Sequence, residues 1–300
     1  MKITYLPIAL ILIILLSSCG PRIDGSSEKA SKASYEKMKA GLSDEDQSKL
    51  DLAILYITGS AMYDKMHDVK EYKDLSFEKI VLKKIDGKTK GGIFDLAEEF
   101  MKQDKERQIK SAQDEITELN KTADKERKDY DAIRQKTEML KGSFVKMTLE
   151  NGMPMIYCQF KNVTADKMFD AYSLSLLIRS IDKNHIIWNS TTVRSGVGTI
   201  KPGDTFDEKM DVSQYSMDNA PEINWKAIKY PVTDLAKYNL EVEAKTTSLF
   251  VDDKEYSLDT VKWDRDSEIN YRAKLKELNA DLKKAKSKPD NLDDELKRGG

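Results

Sequence analysis

From Ser43 onward the apolar positions fall into helical stripes. Leu50, Ala53, Ile54, Ile57 and Ala61 recur at spacings of three and four, and Ser43 with Asp46 three residues later resembles a capping box. Phe77, Ile80, Val81 and Ile85 repeat the pattern behind Ser76. Asp86-Gly87 predicts the stop, because glycine accepts the left-handed backbone just past a helix end, and Thr89 can cap the next helix. Each stripe alone would face water, so residues 28–100 are expected to form a small antiparallel helical bundle.

Between Gly92 and Gly142 the chain has neither Gly nor Pro. Ile109, Ile116, Ala123, Tyr130 and Thr137 recur every seven residues, with Ala112, Leu119, Glu126, Ile133 and Leu140 three residues after each. This heptad seam predicts one long helix over 101–142. Tyr271, Leu275, Leu278, Leu282 and Ala285 alternate spacings of four and three, which predicts a return helix over 264–288, ahead of the breaker Pro289. Two pairings satisfy these seams. An antiparallel coiled-coil hairpin is favoured because both helices flank the same region; association between molecules is the alternative. Residues 289–300 read as a flexible tail.

Residues 143–262 switch to a period of two. Val145, Met147 and Leu149 alternate, Asn151-Gly152 is a hairpin signal, and Ile156, Cys158 and Phe160 alternate again. Tyr172, Leu174, Leu176 and Ile178 continue it; Lys183-Asn184, Lys201-Pro202-Gly203-Asp204 and Asp252-Asp253-Lys254 suit turns. Some seven strands fit an immunoglobulin-like sandwich, and Lys161-Asn162-Val163-Thr164 with Ile200-Lys201-Pro202-Gly203 loosely resembles extracytoplasmic Ig-like modules. The expected fold class is α+β and multidomain: an N-terminal helical bundle, an antiparallel coiled-coil hairpin, and an Ig-like β-sandwich inserted between the two coiled-coil helices.

Met1-Lys2 followed by the apolar run Leu6 to Leu16 is too short to span a bilayer and reads as a signal peptide, residues 1–18. Leu16-Ser17-Ser18-Cys19 resembles the lipobox of bacterial lipoproteins. The resemblance implies cleavage before Cys19 and its lipidation, palmitate included; an ordinary cleaved signal and an uncleaved anchor are the alternatives. Residues 19–27 would then be a lipidated tether. Gly20 lacks the Asp that the family commonly uses for inner-membrane retention, so in a cell with two membranes an outer-membrane lipoprotein facing the periplasm is expected.

A second resemblance lies in Ser31-x-x-Ser34-Tyr35-x-x-Met38-x-x-Gly41-Leu42-Ser43, Leu50-x-x-Ala53 and Ile85-Asp86-Gly87-Lys88-Thr89. It is similar to a family of small uncharacterised bacterial lipoproteins with a helical N-terminal module, over about residues 19–100. No activity comes with it.

Composition narrows the chemistry. Fifty Lys+Arg against 52 Asp+Glu give a net charge of −2, without the basic excess that phosphate backbones attract, so no nucleic-acid partner is expected. Two His and two Cys leave little material for metal binding, and with Cys19 acylated an intramolecular disulfide is impossible. Cys158, in an alternating apolar segment, reads as a buried structural thiol.

Other candidates have plainer readings. Ser34-Tyr35-Glu36-Lys37 matches S-x-x-K without its companion motifs, and His67 and His185 lie far apart. Asp44-Glu45-Asp46 reads as a helix start and Asp293-Asp294-Glu295 as a solvated tail; Gly196-Val197-Gly198 precedes no helix, and Lys283 to Lys288 reads as a solvated face. No catalytic, cofactor-binding or metal residue is assigned, and no cofactor is expected. The function expected is a membrane-anchored envelope lipoprotein, a non-catalytic adaptor with an envelope protein partner and possible homo-oligomers through the coiled coil. The alternatives are a peptidoglycan enzyme with a carboxylate site and a periplasmic ligand carrier.

Overall fold

The computed structural model describes residues 20–67 and 69–299. Cys19 and the apolar segment before it lie outside the described residues. The protein is α+β, with helices in the N-terminal half and antiparallel sheets after them. It divides into two units, residues 1–118 with 274–300, and residues 119–273; the division falls inside two helices.

In the helical unit, α1 (Glu28–Lys39) is capped by Ser27 and α2 (Asp44–Met66) by Ser43, whose side chain accepts from Asp46 N at 3.2 Å. Ser76 caps α3 (Phe77–Ile85), which stops at Asp86 with Gly87 at φ +67°. Thr89 Oγ1 accepts from Gly92 N at 3.2 Å and opens α4 (Lys90–Thr137). Leu50, Ala53 and Ile57 of α2 pack with Ile85, Ile93, Ala97 and Met101. No break exists near residue 100, where the bundle was expected to end. Gly91 and Gly92 lie in the first turn of α4, where helix N–H groups have no intrahelical partner and glycine costs little.

Residues near both ends of the described chain pack into the helical unit. The tether expected over 19–27 is built into the unit from Arg22 onward: Ile23 exchanges 2.9 Å hydrogen bonds with Lys88 O and Gly87 N and its side chain is buried. Asp24 N donates to Ser34 Oγ at 2.9 Å and Gly25 N to Asp86 Oδ1 at 2.7 Å. A Cβ at Gly25 would lie 2.7 Å from Leu82 O, so only glycine allows this approach. The tail expected to be flexible contains the last helix, α7 (Leu292–Gly299): Leu292 is fully buried, its N–H donates to Glu98 Oε1 at 3.2 Å, and Asp293 pairs with Lys49 at 2.6 Å.

The second unit holds seven strands: β1 (Leu140–Glu150), β2 (Met153–Asn162), β3 (Phe169–Ser180), β4 (Ile186–Ile200), β5 (Thr205–Asp211), β6 (Leu240–Val251) and β7 (Lys254–Ser257). They form an antiparallel sheet of order β1-β2-β5 and another of order β4-β3-β6-β7. The predicted turns carry the required left-handed residues: Asn151 and Gly152 at φ 50° and 80°, Asn184 at 51°, Asp252 and Asp253 at 49° and 61°. Phe160, Phe169, Leu174 and Leu176 fill the core, and Phe206 of β5 meets both Phe160 and Tyr172 at 5.6 Å between ring centroids.

The long helix ends at Thr137 rather than 142. Leu140, read as a heptad residue, is instead fully buried in the strand core, and its carbonyl accepts from Thr246 Oγ1 at 2.6 Å. Gly142 is a close-packing residue, since a Cβ there would lie 2.5 Å from Ala244 O and 2.6 Å from the Phe160 ring. A short helix α5 (Gln214–Asp218) follows β5, and the return helix is α6 (Arg265–Lys286).

Candidate functional site

Helix seams position the polar groups of the second unit. Tyr271 OH of α6 donates to Asn120 Oδ1 of α4 at 2.8 Å, and one turn earlier on α6 Glu268 meets Arg127 of α4, whose Nε and Nη2 each lie 2.9 Å from Oε2. The Arg127 guanidinium lies 4.4 Å from the Tyr271 ring centroid and 5.0 Å from that of Trp263. In the helical unit, Leu278 and Ala285 of α6 are buried and share a groove with Gln108, Ala112 and Glu115 of α4.

Beside Arg127 a cleft of about 530 Å³ opens between the last turns of α4, the start of α6, and strands β1 and β6. Its charges are mostly paired. Arg134 bonds Glu138 at 2.6 Å, Arg265 bonds Glu241 at 2.5 Å, and Lys245 lies 3.5 Å from Glu243. Glu268 is held below the usual carboxylate range by Arg272 at 2.6 Å, against a burial penalty, and then by Arg127. Burial works against ionised Asp264, yet the N–H and hydroxyl of Ser267, each 2.7 Å away, outweigh it and lower its pKa. Arg127 is likewise penalised by burial and is still held above its ordinary value by Glu268. The cleft thus gathers carboxylates most of which have committed partners. Binding a polar ligand there means exchanging existing ion pairs.

The residues singled out from the sequence are not brought together. Cys158 is fully buried in the sheet core and burial pushes its thiol up to about 12, so it packs and stays protonated. Ser34 Oγ accepts from Asp24 N and donates to Ser31 O at 2.9 Å, which occupies the S-x-x-K hydroxyl. His67 stacks on Tyr63 at 4.0 Å, and His185 Nε2 lies 3.2 Å from Glu222 Oε1 in the other unit. Among the described residues no group of three or more His, Cys, Asp and Glu could hold a metal ion. Gly196 and Gly198 sit in β4 at φ +68° and +128°, in an irregular stretch where four residues oppose the step from Phe169 to Ala171. Asp44, Glu45 and Asp46 form the first turn of α2; Asp293, Asp294 and Glu295 form that of α7.

No described helix is long and apolar enough to cross a membrane. Cys19, the residue expected to be lipidated, lies outside the described residues. The cleft residues were missed in the sequence, where Arg127 and Glu268 look like ordinary charges on heptad flanks; Trp263, immediately before the return helix, was the available signal.

The N-terminal third has a counterpart. Residues 5–102 match a family of unknown function (DUF6694). The match takes in α1 to α3 and the start of α4 and ends before the sheets, in keeping with an uncharacterised N-terminal module. No curated protein and no solved structure matches the chain.

Proposed function

We propose that this chain is an envelope lipoprotein acting as a non-catalytic adaptor, acylated at Cys19, with an immunoglobulin-like head carried between the two helices of an antiparallel coiled-coil hairpin. The strand order supports the head. In immunoglobulin-like sandwiches the first, second and fifth strands share one sheet and the third, sixth and seventh the other. Here β1, β2 and β5 share one sheet and β3, β6 and β7 the other, with β4 added beside β3. The hairpin is supported by the Tyr271–Asn120 and Arg127–Glu268 contacts and by the buried seam residues Ala112, Ala123, Leu278 and Ala285.

The observation that carries the adaptor reading is the pairing of the cleft carboxylates: Glu268 accepts from Arg127 and Arg272, Asp264 from Ser267, and Glu138 and Glu241 from Arg134 and Arg265, so a carboxyl acting as general acid would have to leave an existing partner. The docking of Ile23 supports an anchor close to the body, because Cys19 to Arg22 is three residues and reaches about 11 Å at most. In a cell with two membranes the outer membrane, periplasmic face, is the expected address.

The enzyme reading keeps one observation, a cleft that brings several carboxylates together. Photo-crosslinking of the full chain in its envelope, paired with product analysis on purified peptidoglycan, separates the two. Specific capture of an envelope protein without product is expected. Turnover abolished by Glu268→Gln would overturn the adaptor reading.

A further inference from the structure

Helix α2 is apolar on two opposite sides. Leu50, Ala53, Ile57 and Ala61 are buried in the core of the helical unit, yet Leu55, Met62 and Met66 on the far side are 65%, 57% and 69% exposed. With exposed Gly59 and with Leu52, which is half-buried and packs partly on the unit's own core, they alternate spacings of three and four, Leu52, Leu55, Gly59, Met62, Met66. A stripe that faces a helix's own core is broad; this narrow one has the form of a seam that meets one other helix.

The flanking charges choose the partner. Asp51 and Lys65 lie on the same margin of the seam, each seven residues from Thr58, and both are exposed. An antiparallel copy of α2, related by a two-fold axis near Thr58 and Gly59, sets Asp51 against the other copy's Lys65, and Lys65 against its Asp51. The same register brings Leu55 to the other Met62 and Leu52 to the other Met66, with Gly59 near the crossing, where a small residue lets backbones approach. A parallel pair would bring each charge level with its own copy and lose the complementarity. We propose that this face of α2 is a homodimer surface, self-complementary in the antiparallel register.

Both charges already have contacts within the chain, and both stay at the surface. Asp51 already accepts from Tyr35 OH and from Lys39 Nζ at 2.7 Å, but its side chain remains 51% exposed, and Lys65 Nζ donates to Lys73 O at 3.1 Å on the surface. Exposed pairs of this kind contribute little affinity and act chiefly on register and partner choice. The seam is ~21 Å long at 1.5 Å per residue, a contact smaller than the ~1,200–2,000 Å² of stable complexes. The dimer is therefore weak in dilute solution and is favoured wherever copies are concentrated on one surface.

The test uses the full chain in non-ionic detergent. Under mild oxidation, chains bearing Leu55→Cys mixed with chains bearing Met62→Cys should form a mixed disulfide, while neither variant alone should crosslink beyond the unsubstituted chain. In sedimentation equilibrium, Met62→Asp should weaken self-association by about tenfold or more. Lys65→Glu should weaken it, and adding Asp51→Lys should restore it; unchanged circular dichroism shows that the surface variants still fold. A chain that remains monomeric at every concentration, a Leu55→Cys chain that crosslinks to itself, or a charge swap without rescue would overturn the proposal. So would a seam on which Met62→Asp alters only lipid-vesicle binding or crosslinking to a different protein.

Discussion

Arg179 at the end of β3 is tied to Asp266 in the first turn of α6: Nη1 donates to Asp266 Oδ1 at 2.9 Å and to Asn184 O at 2.8 Å. The arginine side chain is 4% exposed and the aspartate 48%, so one partner is buried and the other half in water. Nε of Arg179 is buried without a hydrogen-bond partner among the described residues. Asp266→Ala should lower unfolding free energy by about 1–3 kcal/mol, the cost of an unsatisfied buried polar group. In an Arg179→Met background the same change should cost much less, because the stranded charge is gone. Urea unfolding of the four chains checks both statements.

Glu150 predicts a window of acid sensitivity. Lys209 at 2.5 Å, then the Tyr157 hydroxyl, lower its carboxyl from 4.5 to about 2. Between those values the unfolded chain binds a proton that the folded chain does not, so this contribution is complete above 4.5 and fades as pH falls toward 2. The group is exposed, so the effect should be small and shrink with salt. Glu150→Gln should flatten the stability profile between pH 4.5 and 2 in low salt; a profile parallel to that of the unsubstituted chain counts against this origin.

The thiol of Cys158 should not react with a thiol reagent at pH 8 in the folded protein, since burial pushes it up to about 12. It should react fully in denaturant. Its raised pKa favours unfolding as pH climbs above the ordinary 9.0, so Cys158→Ala should reduce any alkaline loss of stability. Reaction rates with and without urea decide it.

Lipidation gives a sharp assay. Cys19→Ser should abolish incorporation of labelled palmitate and leave the precursor uncleaved. Unchanged incorporation would remove the lipoprotein reading while leaving the α2 seam to be judged by its own crosslinks.

Leu278 is buried on α6 in the helical unit, beside a groove lined by Ala112 of α4. Leu278→Asp places a charge there at a cost of several kcal/mol unless the helices separate. Faster amide exchange over residues 108–115 and 275–285, with strands β1 to β7 still protected, is the expected result of a hydrogen-exchange comparison.

Local chemistry was legible wherever neighbouring residues suffice. Ser43, Ser76 and Thr89 cap helices because a side-chain oxygen reaches an N–H three residues away, and Gly87, Asn151-Gly152 and Asp252-Asp253 turn the chain because they tolerate positive φ. The periods of 3.6 and 2 separated helices from strands for the same reason, each being a property of a short segment. Gly142 shows where that reasoning stops: nothing in its neighbours sets it apart, and only the carbonyl of Ala244, about a hundred residues later, makes it a packing glycine. Ile23 needs Lys88, Leu292 needs Glu98, and the cleft needs Arg127 to meet Glu268 across 141 residues. Such contacts depend on which segments the tertiary structure brings together, and a charge or a lone apolar residue looks the same in sequence whether or not its distant partner exists.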